Sequence, residues 1–441
     1  MNVVKHFGQA LAVMAIAATV QSASAADSWP TFRGPGRTAV SPDKNLLEKW
    51  PEDGPPLVWT AKGAGRGYSS LAIAGGKIYT LGDNLSTASD KEEYLQCFDQ
   101  KTGKQLWTHQ TGSPWDKGSP DWQGSRSTPT VDGDSVYVVT PPGVLVACKT
   151  SDGSELFRVD LVKDYGGKKD DGWGYSESPT VDGDKVICTP GGKKSTMVAF
   201  NKKTGKEIWK TVLDDDSGAG HASTVVSKVG GTTVLVTTTG SGALGVRAED
   251  GKLLWNYPLP HTTARIPTPI VRGDLVFCVF GYDPGGGVLL KQVPQPNKEA
   301  KVEEIYPLNG KLKNKHGGVV LVGDYLYGDS DAKGILYCAE FMTGKVLWTD
   351  KRSKAGGRGS AAIAAADGHL YVRYQNGVVV LAKADPTDYV EVGSFTPPGA
   401  GERPSWAHPV VVDGMLYLRE GDSILCYDVR EKPTRSNAGA Q

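Results

Sequence analysis

The chain predicts an all-β fold: an eight-bladed β-propeller of four-stranded antiparallel blades, closed by an N-terminal strand that completes the last blade. Three observations lead there. The 441 residues repeat themselves, as in SPTVDGDKVICTPGGKKSTMVAFNKKTGKEIWKT at 178–211 and STPTVDGDSVYVVTPPGVLVACKTSDGSELFRV at 127–159, and a fixed period of this length marks stacked supersecondary units. An aromatic residue recurs every 42–52 residues, at Trp59, Trp107, Phe157, Trp209, Trp255, Tyr306, Trp348 and Phe395. The two ends are complementary: PLVWT at 56–60 is a fourth strand with no unit before it, and the unit at 408–428 has only three strands. Joining them removes a free sheet edge, which closed rings of blades avoid.

Within each unit the strands follow from turn chemistry and alternation. The first is small or apolar and ends at an Asp-Gly or Gly-Asp pair. The second alternates, as in DSVYVVT at 134–140. The third ends at Thr-Gly or Asp-Gly, and the fourth carries the aromatic. Such pairs between alternating runs mark hairpins, because glycine takes positive φ without a Cβ penalty. No long 3.6-residue apolar period competes, so little helix is expected. The eight aromatics are expected to be structural docking residues, packed between neighbouring blades. Residues 291–303 (KQVPQPNKEAKVE) are polar and read as a mobile excursion of the fifth blade.

Lys5 and His6, the apolar run 11–20 and the small residues Ala23, Ser24 and Ala25 read as a secretory signal peptide over 1–25. Residues 26–56 are a lead-in, 57–430 the propeller, and 431–441 a disordered tail rich in small and polar residues. The expected location is periplasmic or secreted. No apolar run reaches the ~20 residues of a membrane span, and the first cysteine is Cys97, so neither a transmembrane nor a lipid anchor is expected. Lysine plus arginine (49) equals aspartate plus glutamate (49). That balance excludes a basic nucleic-acid footprint and an acidic solvating chain; a monomer is expected.

The six cysteines, at 97, 148, 188, 278, 338 and 426, are not adjacent to one another. Cys97, Cys148 and Cys338 occupy similar places in separate units, where Ala199 stands in a fourth, so buried structural thiols are expected. The histidines lack paired ligand spacing, and no metal site is expected. No P-loop, dinucleotide fingerprint, G-x-S-x-G or H-E-x-x-H is present, and no residue is nominated as catalytic.

A more informative polar set precedes the first strand of each blade: Arg66 and Tyr68, Arg126, Tyr175 and Glu177, His221, Arg265, His316, Arg358, and Trp406 with His408. First strands line a propeller's central channel, so these residues are expected around one channel mouth as a ligand-binding set. Its four arginines suit carboxylate or phosphate groups, and its aromatics suit a sugar or a peptide. Glu177 is its one carboxylate. The connections 112–124 and 163–175 add Trp115, Trp122, Tyr165 and Trp173. These either stand over the mouth as binding groups or fold down as loop cores.

The unit VDGD-x-VY…TGK-x-(L/I)-W resembles the PQQ-like (pyrroloquinoline-quinone) repeat, and SWPTFRGPGRTAVSP at 28–42 resembles the lead-in of exported bacterial PQQ-like proteins. The resemblance covers residues 28–430 and extends to the outer-membrane assembly factor BamB. It implies a propeller with aromatic docking between blades. Two features depart from the family's dehydrogenases: no adjacent Cys-Cys pair is present, and no Glu/Asn/Asp calcium set can be placed. The resemblance therefore implies an exported, non-catalytic, BamB-like scaffold that binds a protein, peptide or glycan at the channel mouth and needs no cofactor. The alternative it implies is a PQQ-dependent quinoprotein dehydrogenase acting on alcohols or sugars, with its quinone held by calcium.

Overall fold

Eight four-stranded antiparallel sheets make up the molecule, a β-propeller, in the computed structural model that describes residues 28–85, 91–330 and 333–431. The expected signal peptide, and all of the expected tail beyond Glu431, lie outside the described residues. Blades one to eight begin with the inner strands Ala72–Ala74, Thr130–Asp132, Thr180–Asp182, Val225–Val229, Ile270–Arg272, Val320–Val322, Ala361–Ala366 and Val410–Val412. In blades one to seven the four strands follow in sequence order from the channel outward. Blade eight is completed by Leu57–Lys62, which pairs antiparallel with Ser423–Asp428 and sets Trp59 opposite Cys426. The ring is therefore closed by hydrogen bonds between the two ends of the propeller.

The outer-strand aromatics show why the repeat is spaced as it is. In seven blades the aromatic sits at a one-residue bulge, as where Ala199 faces Trp209 and Phe200 faces Glu207. Each ring then lies over the next blade. Where that blade has a Thr-Gly or Asp-Gly turn, the glycine is under the ring. A Cβ on Gly103, Gly153, Gly205, Gly251 or Gly344 would come 2.5–3.0 Å from Trp59, Trp107, Phe157, Trp209 or Tyr306. These glycines therefore serve two purposes, positive φ and close approach. The indole N–H groups of Trp107, Trp209 and Trp348 donate to carbonyls of the next blade, on Thr150, Ala248 and Asp385.

Blade seven differs from expectation. Its bulge register puts Gly393, not Phe395, at the docking position, opposite Leu381. Trp50 of the lead-in fills that place, since a Cβ on Gly393 would lie 2.5 Å from the Cβ of Trp50. Phe395 packs instead on Trp50 and Tyr427. The segment 291–303 is not an irregular excursion either. It extends two paired strands, Gly286–Gln295 and Glu299–Asn309, and Gln292 in it is buried, accepting from Trp255 and donating to Ser227 of blade four.

All six cysteines are buried and free. Cys148 does not share the register of Cys97: Cys97 faces Trp107, but Ala147 faces Phe157. A one-residue offset in a strand turns the side chain to the other face.

The lead-in plugs the channel. Trp29 pairs with Ile73 of blade one, and the Thr31 and Thr130 hydroxyls lie 2.8 Å apart. The chain then turns through Arg33, Gly34, Gly36 and Arg37, all at positive φ. Arg37 is buried and donates to the carbonyls of Ser178 and Pro179 in blade three. Arg33 is buried and donates to Val319 in blade six. The segment leaves along blade seven, where Val40 bridges Ala365, and Asp43 accepts from Gly414 N in the first turn of blade eight. It thus rises from the turn face, bends inside the channel and returns to the same face. Around it, hydroxyls tie neighbouring blades. The N–H groups of Ser70, Thr128, Ser178 and Ser223 donate to Thr128, Ser178, Ser223 and Thr268 at 2.9–3.2 Å.

Candidate functional site

The residues that precede the first strands meet at the opposite end of the channel from those turns, around a cavity of about 560 Å³. Six of the eleven expected mouth residues line it: Tyr68, Arg126, His221, His316, Trp406 and His408. The other five do not. Arg66 makes a two-pronged ion pair with buried Asp83, at 2.7 and 3.1 Å. Tyr175 is buried and donates to the Pro190 carbonyl. Glu177 is buried and accepts from Thr189 N at 2.6 Å, and burial pushes its carboxyl up to about 7. Arg265 is buried, donates to the carbonyls of Leu259 and Pro260, and lies over Phe280. Arg358 is exposed and outside the cavity lining.

Alternation explains three of these. Extended backbone sends successive side chains to opposite sides. Tyr175 and Glu177 flank the lining residue Ser176, and Arg265 stands between the lining residues Ala264 and Ile266. The cavity takes the smaller neighbours of these large side chains.

The connecting loops divide evenly. Trp122 and Trp173 rise over the mouth and meet edge to face, 5.0 Å apart at 83°. Trp115 folds down against Gly174, and Tyr165 packs edge-on to Phe200 at 5.2 Å. Trp406 stands between Tyr68, at 4.7 Å, and His316, at 4.8 Å. The lead-in supplies the floor through Phe32 and Arg33, with Phe32 against His408 at 4.9 Å. Sequence reasoning missed Phe32, Arg33, Ser176 and Lys315. The Gly-rich FRGPGR stretch ahead of the first blade was the available signal for the first two, since such turns allow a chain to double back in a narrow space.

The cavity is cationic. Arg33, Arg126 and Lys315 line it, and no carboxylate does among the described residues. Arg126 donates to the carbonyls of Trp122 and Gly124 and makes no carboxylate ion pair among the described residues. Burial lowers its pKa to about 10, so it stays charged at neutral pH. The three lining histidines are held neutral. Burial, then nearby cations, brings His221 down to about 4 and both His316 and His408 to about 3. At the floor, Arg33 Nη1 and His408 Nδ1 are buried without a hydrogen-bond partner among the described residues.

Comparison with known proteins identifies the fold's family. The family described as outer membrane protein assembly factor BamB matches residues 91–350. The chain belongs to that family. Outer membrane protein assembly factor BamB of Burkholderia pseudomallei (strain K96243) is 27% identical over 318 residues, covering 61% of this chain and 74% of that protein. Among solved structures, BamB from Moraxella catarrhalis superposes with a TM-score of 0.57 at 14% identity, covering 86% of this chain and 99% of that one. Quinohemoprotein alcohol dehydrogenase from Comamonas testosteroni gives 0.61 at 14% identity, covering 95% and 83%. At such identities the superpositions speak to the BamB-like, PQQ-like propeller architecture alone.

The dehydrogenase likeness raises the question of a metal-held quinone. Calcium takes six to eight oxygen ligands, carboxylates prominent among them. This cavity has no lining carboxylate, and no cluster of three metal-ligating side chains occurs among the described residues. A calcium-held quinone does not fit this wall.

Proposed function

We propose that this chain is an exported BamB-family scaffold whose channel-mouth cavity binds a segment of a partner. That partner is a protein, a peptide or a glycan which presents a ring and an anionic group. One observation carries the reading: Tyr68, Trp122, Trp173 and Trp406 wall a blind cavity whose charged lining groups are cations. Rings stack on rings or on sugar faces, and guanidinium groups favour carboxylates and phosphates. The plug makes the cavity one-ended, so a ligand reaches it from the mouth. The family match favours a protein partner among the three. Among the described residues no helix is long and apolar enough to cross a membrane.

The test is titration calorimetry against an acidic aromatic peptide set and an acidic oligosaccharide set. For any ligand found, Arg126→Ala and Trp406→Ala are each expected to weaken binding at least about tenfold, the scale of a 1.4 kcal/mol contact. Arg358→Ala is expected to leave it unchanged. Binding that ignores Arg126 and Trp406 would remove the cavity from the proposal.

A further inference from the structure

Ser176 stands on the cavity wall within reach of His221, another lining residue. Its Oγ lies 2.5 Å from His221 Nδ1, and His221 Nε2 lies 2.7 Å from Asp171 Oδ2. The His221 and Asp171 side chains are each only 6% exposed, while Ser176 is half-buried at the cavity surface. Two separate pieces of chain build the set. Asp171 and Ser176 come from the connection before blade three and His221 from the approach to blade four. Main-chain bonds fix both: His221 N donates to Arg265 O, and Asp171 Oδ1 accepts from Trp173 N.

We propose that Ser176 is a nucleophile toward carboxylic esters held in this cavity, with His221 as its general base and Asp171 orienting that base. The proposal deepens the binding reading, because the ester must first be held by that site. Geometry sets the proton positions. Asp171 accepts the Nε2 proton, which leaves the Nδ1 lone pair facing the serine hydroxyl. Electrostatics agree. Burial, joined by Lys169 and Arg126, keeps the imidazole neutral at neutral pH, while against burial His221, Lys169 and the Trp173 N–H together keep Asp171 ionised. Arg126, whose positive charge acts on both His221 and Asp171, also lines this cavity, where a cation stabilises a developing oxyanion.

The step balances as an acyl transfer. Ser176 Oγ bonds to the ester carbonyl carbon while its proton moves to His221 Nδ1. The bond from that carbon to the alcohol oxygen breaks, and the alcohol leaves with the proton from Nδ1. Water then attacks the acyl-serine, passing its proton through Nδ1 back to Oγ, and the carboxylic acid departs.

The test treats the full-length protein with a fluorophosphonate, whose phosphorus accepts Oγ as fluoride leaves, and maps the adduct by peptide mass spectrometry. One adduct on Ser176 is expected. Its formation should slow about 100-fold in His221→Ala and at least about tenfold in Asp171→Asn, and hydrolysis of p-nitrophenyl acetate should fall in parallel. Mapping on the unmutated chain removes any dependence on variant folding. No adduct, an adduct elsewhere, or one on Ser176 indifferent to His221→Ala overturns the proposal. Ligand titration of Ser176→Ala separates the two readings: retained binding without labelling of the unmutated chain sinks the nucleophile alone, whereas lost labelling together with no ligand for any variant removes the site.

Discussion

His316, at about 3, and His221, at about 4, are residues whose environment can be read as pH dependence. Both imidazoles are neutral when folded and would accept a proton near 6.5 when unfolded. Between those values the unfolded chain binds more protons, so stability is held above pH 6.5 and lost as pH falls toward 4 and 3. Each pH unit in that window costs about 1.4 kcal/mol per histidine. His408 behaves alike. Glu93 and Glu177 act in the opposite sense. Burial pushes them up to about 8 and about 7, so they lose stability as pH rises from 4.5 to those values. A series of melting temperatures from pH 4 to 7 should therefore be steeper for the unmutated chain than for His316→Gln. Parallel curves would show that His316 titrates normally in the fold. At this scale the sequence was only half legible. Tyr68, Arg126 and Trp406 could be placed because large groups before an inner strand reach the mouth. Ser176 could not, because a serine among bulkier neighbours gives no sign of which side it faces.

At the scale of the element, the unit of stability is an aromatic and the turn of the next blade. Trp209 lies over Gly251 and donates to Ala248. Trp209→Ala removes both the buried ring and its N–H bond and should cost about 3–5 kcal/mol. Gly251 sits at φ 76 beneath that ring, so Gly251→Ala meets backbone strain and a clash together and should cost about 1–3 kcal/mol. Chemical denaturation reads both, and similar loss from Gly133→Ala, whose Cβ position is open, would show that the ring contact is not the cause. The period and strand order were legible because this pairing ties five of the outer-strand aromatics to a Thr-Gly or Asp-Gly about forty to fifty residues later. Blade seven was misread for the same reason: Phe395 keeps the spacing, but the bulge gives its place to Gly393 and lets Trp50 fill it. Only register, which spacing does not carry, separates the two.

For the whole molecule, closure by Leu57–Lys62 is the decisive event. A chain beginning after Lys62 would expose the Ser423–Asp428 edge and lose the buried contacts of Trp59. It is expected to self-associate or fail to melt cooperatively, as size exclusion and calorimetry would show. A chain lacking 28–42 is a milder case. It keeps the closing strand but loses Arg33, Arg37 and the cavity floor, so it should remain a ring with a lower melting temperature and weakened ligand binding. An unchanged ligand affinity would count against a floor built by Phe32 and Arg33. Closure was legible in the complementary ends of the repeat. The plug was not, since its contacts with blades one, three, six and seven follow no period.

The doubled-back leader also decides which way the molecule faces when it is held. Trp29 is paired beside the first turn of blade one, and Arg430 lies against Gly414 in the corresponding turn of blade eight. Both described termini therefore emerge on the side away from the mouth. A tether at either end, natural or engineered, would dock the wheel hub-down and leave its open bowl pointing into the surrounding medium.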